Sequence, residues 1–394
     1  MRITFISQAR FPTEKAHGHQ IAEVCAALTA NGHAVTVLSP DIRNALKESA
    51  HGYYGLSGKL GVEKLRVFDA LSKWWVPGNF AFSFTMRSYG KALKKWLAEH
   101  PTDLLYTRSP RLLKSLLQTD IPVVLELHTL PRRSRLFIRR CNACRLVVCL
   151  TEPMRTHLIS WGVEESQVIV EGDGVNLQRF EKMPESASAK AEWKVPVDRP
   201  VIGYVGSLVT RGTMEKGVKE LIEAVALLKV KIVGQERSCP TIFSAYLWII
   251  GGPRDAISRY RRLAEKKGLT KEDIRFEGPV KSDRVPSALA ACDVCVYPAP
   301  ASKHAFFQRD TSPLKVFEYL AAGKPTVCAD IPPLRGVIDP SLVHHCRPGD
   351  ALSLAKAIRE ALTQPNTNEK LRRSLLQHVS WGKRMERIIS HSKL

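Results

Sequence analysis

Twice along this chain a short apolar run gives way to a loop, an amphipathic helical pattern and a second apolar run. The first instance is RITFIS, then GHQIAEVCAALTANG, then HAVTVLSP. Ile21, Val24, Cys25 and Leu28 recur at helical spacing, and Gly32 is placed to end that helix. This is a βαβ unit, and further strand candidates follow at 103–107, 122–128, 145–151 and 167–171, with helical stretches between several of them. The first half therefore reads as a doubly wound parallel sheet. A second βα series begins at VIGYVGS (201–207) and continues through strand candidates at 245–252, 274–280, 294–298 and 325–330.

The length of 394 residues and 44% hydrophobic content supply two cores rather than one. Residues 1–182 are expected to form one Rossmann-like domain and 200–365 a second. Residues 183–199 lie in a stretch rich in Pro, Ser, Ala and charge without a sustained apolar period, as in a linker. The tail, 366–394, is helical in pattern and is expected to cross back to the N-terminal domain. The fold class is α/β, with two doubly wound domains facing across a cleft. Ligands bind at the carboxyl ends of such parallel strands.

Nine cysteines include two CxxC spacings, Cys141/Cys144 and Cys292/Cys295. Cys149, Cys295 and Cys328 sit in apolar strand-like runs, so buried reduced thiols are expected rather than disulfides or zinc ligands. The opening MRITFIS lacks the longer apolar core of a secretory signal, which makes the cytoplasm the expected address. The longest apolar stretches, PVVLEL and AYLWII, are far short of the roughly 18 to 20 residues that span a bilayer. A net charge of +21 points to an anionic partner: phosphate, nucleic acid or a lipid surface. Much of that charge sits in RSRLFIRRCNACR (133–145) and RYRRLAEKKG (259–268), each of which also reads as a solvated helix face. Neither carries the interleaved aromatics of a nucleic-acid binder, so no nucleic-acid partner is expected.

The most specific local signal is DTSPLKVFEYLAAGKPTVCAD (310–330), where a short polar turn with Pro313 feeds a helix that stops at Gly323. A helix N-terminus presents unpaired N–H groups and positive dipole, which suits the turn from Thr311 to Lys315 to an anionic phosphate. Glu318 follows within the first turns. A carboxylate there can accept hydrogen bonds from the two vicinal hydroxyls of a ribose. It reads equally as an acidic residue complementing the helix dipole.

Asp310, seven residues, then Glu318 followed by YLAAGKPTV resembles the acid-x7-Glu motif of family 4 retaining glycosyltransferases, which have the GT-B fold. The resemblance extends to GDGVNLQRF (172–180), YVGSL and KGVKELIEA (204–224), WIIGGP (248–253), IRFEGPV (274–280) and ALAACDVCVYP (288–298). It implies an acceptor-side N-terminal domain, a nucleotide-sugar-binding C-terminal domain, and transfer of a hexosyl unit from a UDP- or GDP-sugar to a glycan or lipid-linked acceptor. The family usually has Glu where this chain has Asp310; the resemblance places Asp310 and His128 at the transferred sugar, and Glu318 at the ribose. Ser312, Pro313 and Leu314 fall at the diphosphate. Near that diphosphate the family commonly has a basic residue after the strand glycine and a Lys before a second Gly. Lys216 fits the second position; the first is Ser207, and Arg211 is expected to supply the missing charge. Pro279 and Val280 are expected against the base.

In the first domain, Gly18 is read as lying in the loop before the first helix, where backbone approaches phosphate or sugar closely. Lys15, His19 and Glu126 are acceptor-side candidates. No DxD sequence occurs, so no metal ligands and no cofactor are expected, with cations and helix dipoles replacing a metal's charge. Residues 53–97 set Trp74, Trp75, Phe80, Phe82 and Phe84 beside Lys73, Arg87, Lys91, Lys94 and Lys95, a combination suited either to an anionic membrane interface or to the domain's own core. Two other functions stay open at the level of sequence: a nucleotide-sugar epimerase, and a non-catalytic nucleotide-sugar-binding protein.

Overall fold

The computed structural model describes every residue except 57, 211–213, 230–243, 367 and 393–394. The chain divides into two compact units. One comprises Met1–Asp173, Arg309–Thr311 and Trp381–Leu394; the other comprises Gly174–Gln308 and Ser312–Ser380.

Among the described residues the first unit is built on a seven-stranded sheet. Its strands are β1 (Arg2–Ile6), β2 (Ala34–Asp41), β3 (Gly61–Arg66), β4 (Leu104–Thr107), β5 (Val123–Leu127), β6 (Leu146–Cys149) and β7 (Val168–Val170). Their order is β3-β2-β1-β4-β5-β6-β7, all parallel. Central strands covered on both faces are mostly apolar, and β4, β5 and β6 are buried at every position, Thr107 and Glu126 included. On one face Ile6, Leu38, Leu105 and Leu125 pack with Tyr89, Leu93 and Leu97 of the helix Gly78–Glu99. On the other, Phe5, Val37, Tyr106 and Val124 pack with Ile21, Val24, Cys25 and Leu28 of the helix Ala16–Ala30. Trp381, Met385 and Ile388, one stripe of the helix Trp381–His391, complete this second face. Each such side chain contributes about 1.5–3 kcal/mol relative to exposure.

The second unit carries β8 (Val201–Val205), an antiparallel pair β9 (Val209–Thr210) and β10 (Met214–Glu215), then β11 (Tyr246–Ile250), β12 (Ile274–Glu277), β13 (Val294–Tyr297), β14 (Thr326–Ala329) and β15 (His344–Cys346). The six-stranded parallel sheet runs β12-β11-β8-β13-β14-β15. Trp248, Tyr204 and Tyr319 are the largest fully buried aromatics of its core. Residues 183–199, read from sequence as a linker, contain a helix, Ser186–Trp193, whose Ala189 and Trp193 are buried in this core. Trp193 is fixed by its indole N–H donating to Ser287 Oγ at 2.9 Å. Eight cysteines are buried and free, and Cys239 lies outside the described residues. Among the described residues no helix is long and apolar enough to cross a membrane.

Candidate functional site

In the second unit the carboxyl ends of β8, β11 and β12 are tied together beyond their ladders. Gly206 N–H donates to Ile250 O at 2.8 Å, Gly251 N–H to Glu277 O at 3.1 Å, and Leu208 N–H to Gly252 O at 2.9 Å. Gly206 and Gly251 adopt φ of +145° and +148°, which L side chains rarely adopt. A Cβ on Gly251 would collide with the Gly206 carbonyl, and one on Gly206 would collide with Cε and Nζ of Lys315. The bare backbone at 206 is therefore the space that Lys315 fills.

Lys315 is the second residue of the helix Leu314–Ala321. Its Nζ donates to Tyr204 Oη at 3.0 Å and lies 4.5 Å from the Tyr204 ring centroid. Burial pushes its pKa well below the usual ammonium range, the Lys216 charge adds to this, and Glu318 partly opposes it. Burial likewise lowers Lys216 to about 8, and its Nζ sits 5.5 Å from the Phe306 ring. Among the described residues neither lysine forms an ion pair with a carboxylate. Two half-buried, mutually repelling amino groups beside the backbone N–H groups that open a helix are poised for a strongly anionic ligand. The helix start at Pro313 has no side-chain cap. Glu318, one turn further on, has a side chain 20% exposed, with Arg179 Nη1 at 3.9 Å.

Lys216, Lys315 and Glu318 thus share one neighbourhood. Ser207 lies exposed in the turn after β8; its hydroxyl donates to the Val209 carbonyl, and its own carbonyl accepts from Tyr204 at 2.6 Å. An added Cβ on Gly252 would meet Pro279, which places Pro279 and Val280 beside the β11 end. Ser312, Pro313 and Leu314 lead into the lysine-bearing helix. Arg211 lies outside the described residues. Lys315 was not singled out by sequence, because one Lys in an apolar helix reads as its solvent face; the glycine at 206 was the available signal.

The acid-x7-Glu motif is divided. Asp310 groups with the first unit, Glu318 with the second. Asp310 ends a π-helical turn, Phe306–Asp310, and its carboxylate, 2% exposed, accepts from Arg309 Nε at 2.6 Å. Thr151 Oγ1 donates to the Arg309 carbonyl.

The first unit assembles a different cluster at the ends of β4 and β5. Glu126, 1% exposed, lies at the centre. His128 Nε2 is 2.5 Å from its Oε1; Tyr106 Oη donates to Oε2, and Arg384 Nη2 lies 3.2 Å from the same oxygen. Arg384 also donates to the carbonyls of Gly172 (2.5 Å) and Glu171 (3.1 Å). Burial alone would raise Glu126, but Arg384, His128 and Arg108 outweigh it and hold the carboxyl well below its ordinary range. Burial and Arg108 lower His128, against the opposite pull of Glu126 and Asp173. The pair is a neutral imidazole donating Nε2–H to a carboxylate, which leaves Nδ1 as an acceptor.

Both oxygens of Glu126 are engaged inside the unit, where it orients His128. One expectation is corrected here. Gly18 is not in a loop but within the helix Ala16–Ala30, buried, and a Cβ there would strike Tyr54 Oη and Thr13. The helix begins earlier than read because Lys15, at its N-cap, provides no side-chain cap as a cue. Lys15 is exposed, and the His19 ring packs edge-on to Tyr54 at 5.0 Å. Among the described residues no group of three or more His, Cys, Asp or Glu side chains is arranged to hold a metal ion.

Residues 199–364 match the family described as glycosyl transferases group 1, and residues 18–179 match glycosyltransferase family 4. No curated protein matches the sequence. Among solved structures, a glycosyltransferase from Rickettsia africae ESF-5 is similar over 100% of this chain and 97% of its own, at 18% identity and a TM-score of 0.74. Anabaena Alr3699/HepE in complex with UDP and glucose matches over 100% of both chains at 19% identity and 0.71. An alpha,alpha-trehalose-phosphate synthase (UDP-forming) from Burkholderia xenovorans in complex with glucose-6-phosphate does so over 100% of both at 12% and 0.70. At these identities the likeness is one of fold, GT-B.

Proposed function

This chain belongs to the glycosyl transferases group 1 family and is a glycosyltransferase, and from that premise we propose that it moves a hexosyl unit, with retention, from a UDP- or GDP-sugar to a glycan or lipid-linked acceptor without a metal ion. The observation that carries this reading is Lys315 at the bare backbone of Gly206, close enough to Lys216 to feel its charge, with Glu318 one turn along the same helix. A nucleoside diphosphate offsets both ammonium charges, and a ribose supplies the two hydroxyls that Glu318 accepts from. The complex of the HepE structure with UDP and glucose supports a donor of this class.

In the reaction the bond from the anomeric carbon to the diphosphate oxygen breaks as the acceptor hydroxyl oxygen bonds to the same carbon. The acceptor's proton passes to the departing phosphate oxygen. Lys216, Lys315 and the N–H groups of Ser312 and Leu314 stabilise the charge that develops on that oxygen, the role a divalent metal fills elsewhere. Asp310 and His128 hold the sugar, and the backbone of Pro279 and Val280 meets the base. Replacing Glu318 with Ala is expected to weaken donor binding strongly, read by calorimetry; unchanged donor affinity removes Glu318 from the site. Proton NMR of the product tests retention: an α-linked donor yields an α-linked product, and a β-linked one overturns it.

The same proposal includes peripheral attachment to an anionic membrane face. Trp74 is 95% exposed, Trp75 61% and Phe80 63%, and Phe68 and Phe84 are also exposed, so these aromatics do not fill the core. Phe82 alone of the aromatic set turns inward, under Arg111. Exposed Lys73, Arg87, Lys91, Lys94 and Lys95 flank them. Flotation with anionic vesicles at low salt, lost when Trp74 and Trp75 are both changed to Ala, is the expected result; a wild-type protein that does not float refutes attachment.

A further inference from the structure

Within the first unit a cavity of about 390 Å³ opens at the carboxyl ends of β1, β4 and β5, lined among others by Gln8, His17, Arg108, Ser109, Arg111 and His128. Ser109 Oγ donates to Gln8 Oε1 at 2.6 Å and His128 is held by Glu126, but two polar atoms of the lining residues have no partner among the described residues. Arg108 spends Nη2 on Gln20 Oε1 at 3.2 Å, while its Nη1 is buried with no hydrogen-bond partner among the described residues. His17 Nε2 is also buried and without a partner among them. The nearest carboxylate chemistry is already committed: Glu126 gives one oxygen to His128 and the other to Tyr106 and Arg384. Asp173 adds a second acidic group near Arg108, yet Nη1 donates to no acceptor among the described residues. A buried guanidinium N–H left unmade costs roughly 1–3 kcal/mol or more, because the group is charged. Such an atom, on a residue that lines a cavity, is best explained by a ligand that completes it after a small side-chain adjustment.

We infer that this cavity holds an oxyanion, a phosphate or carboxylate group of the acceptor, against Arg108 Nη1 and His17 Nε2. Arg108 offers a planar fork suited to a tetrahedral or trigonal oxyanion, and Arg111 adds a second positive charge at the rim. Burial, and after it the Arg108 charge, lower both His17 and His128. The inference rests on the glycosyltransferase reading, since it names the chemistry of the acceptor. The donor's own phosphates have their cations in Lys216 and Lys315, so the oxyanion belongs to the other substrate.

The test uses the full chain carrying Lys216→Met and Lys315→Met, which together remove the donor-side cations, titrated calorimetrically with inorganic phosphate, glucose 6-phosphate, hexyl phosphate, glucuronate and glucose. Phosphate is expected to bind and to weaken at least tenfold when Arg108→Gln is added. Glucose is expected to be indifferent to that change. Glucose 6-phosphate binding more tightly than hexyl phosphate marks a sugar-borne oxyanion, the reverse order marks a lipid-borne one, and glucuronate matching them marks a carboxylate. Should Arg108→Gln fail to fold, His17→Ala carries the same comparison, with a severalfold loss expected. Absence of oxyanion binding, or binding equal with and without Arg108, overturns the inference. UDP titrated into otherwise wild-type protein, with and without Arg108→Gln, separates the two readings: its affinity is expected to be the same in both. A failure of UDP to bind strikes the donor reading and leaves the phosphate result standing.

Discussion

Replacing Lys216 with Met should make the free protein more stable while making it worse at binding donor. Met keeps the length and most of the packing of the side chain and removes the charge. Lys216 is lowered from 10.5 to about 8 by burial, and at ~1.4 kcal/mol per pH unit, keeping the ammonium charged at neutral pH costs about 3 kcal/mol. The contact with the Phe306 ring returns roughly 0.5–1 kcal/mol of this, leaving a net gain on substitution of about 2 kcal/mol. For a unit of this size that raises the melting temperature by roughly 4–8 °C. The sign with pH follows from a folded pKa lying below the unfolded one. The penalty is complete below about pH 8, fades between there and 10.5, and is absent above, so the advantage of the variant vanishes over the same interval. Loss of one cation from a leaving diphosphate costs on the order of 3 kcal/mol, a hundredfold in UDP affinity or kcat/KM. Scanning calorimetry at pH 7 and pH 10, with UDP titration at pH 7, measures both. A variant that melts lower than wild type and binds UDP equally well refutes the reasoning, because Lys216 would then be an ordinary packing residue.

Arg384→Met should destabilise the first unit by about 3–5 kcal/mol, since it strands the buried carboxylate of Glu126; denaturant melts followed by circular dichroism read this, and a loss under about 1 kcal/mol contradicts the buried pair. UDP affinity should stay level up to about pH 8 and decline above it as Lys216 loses its proton, whereas Lys216→Arg should flatten the profile; a decline unchanged by Arg assigns the titration elsewhere. Gly206→Ala should lower UDP affinity at least tenfold by displacing Lys315 and straining a φ of +145°, and equal affinity would remove the bare backbone from the account.

The order of strands and helices was readable because parallel strands buried on both faces are mostly apolar, as YLWII is throughout and VVLEL is at every position but Glu126. Strands that depart from that condition escaped notice. GVEKLR at the sheet edge has no fully buried residue, and HHC at the opposite edge of the second sheet is only three residues long. The helix Ser186–Trp193 was read as linker because it buries little beyond Ala189, Lys190 and Trp193. The site followed the same division. Lys216 and Glu318 stand in recognisable motifs, whereas Lys315, Arg108 and Arg384 are cations whose inward turn depends on what faces them. In SWGKRMERII nothing local separates Arg384, 1% exposed, from the more exposed Arg387.

The central claim is that the second unit holds a nucleoside diphosphate through Lys216 and Lys315. Isothermal titration of the wild-type chain with UDP and GDP, alongside Lys216→Met and Lys315→Met, addresses it directly. The account predicts that one of the two nucleotides binds the wild type and that each substitution weakens it about a hundredfold. If neither nucleotide binds, or if both variants bind as the wild type does, the claim is wrong.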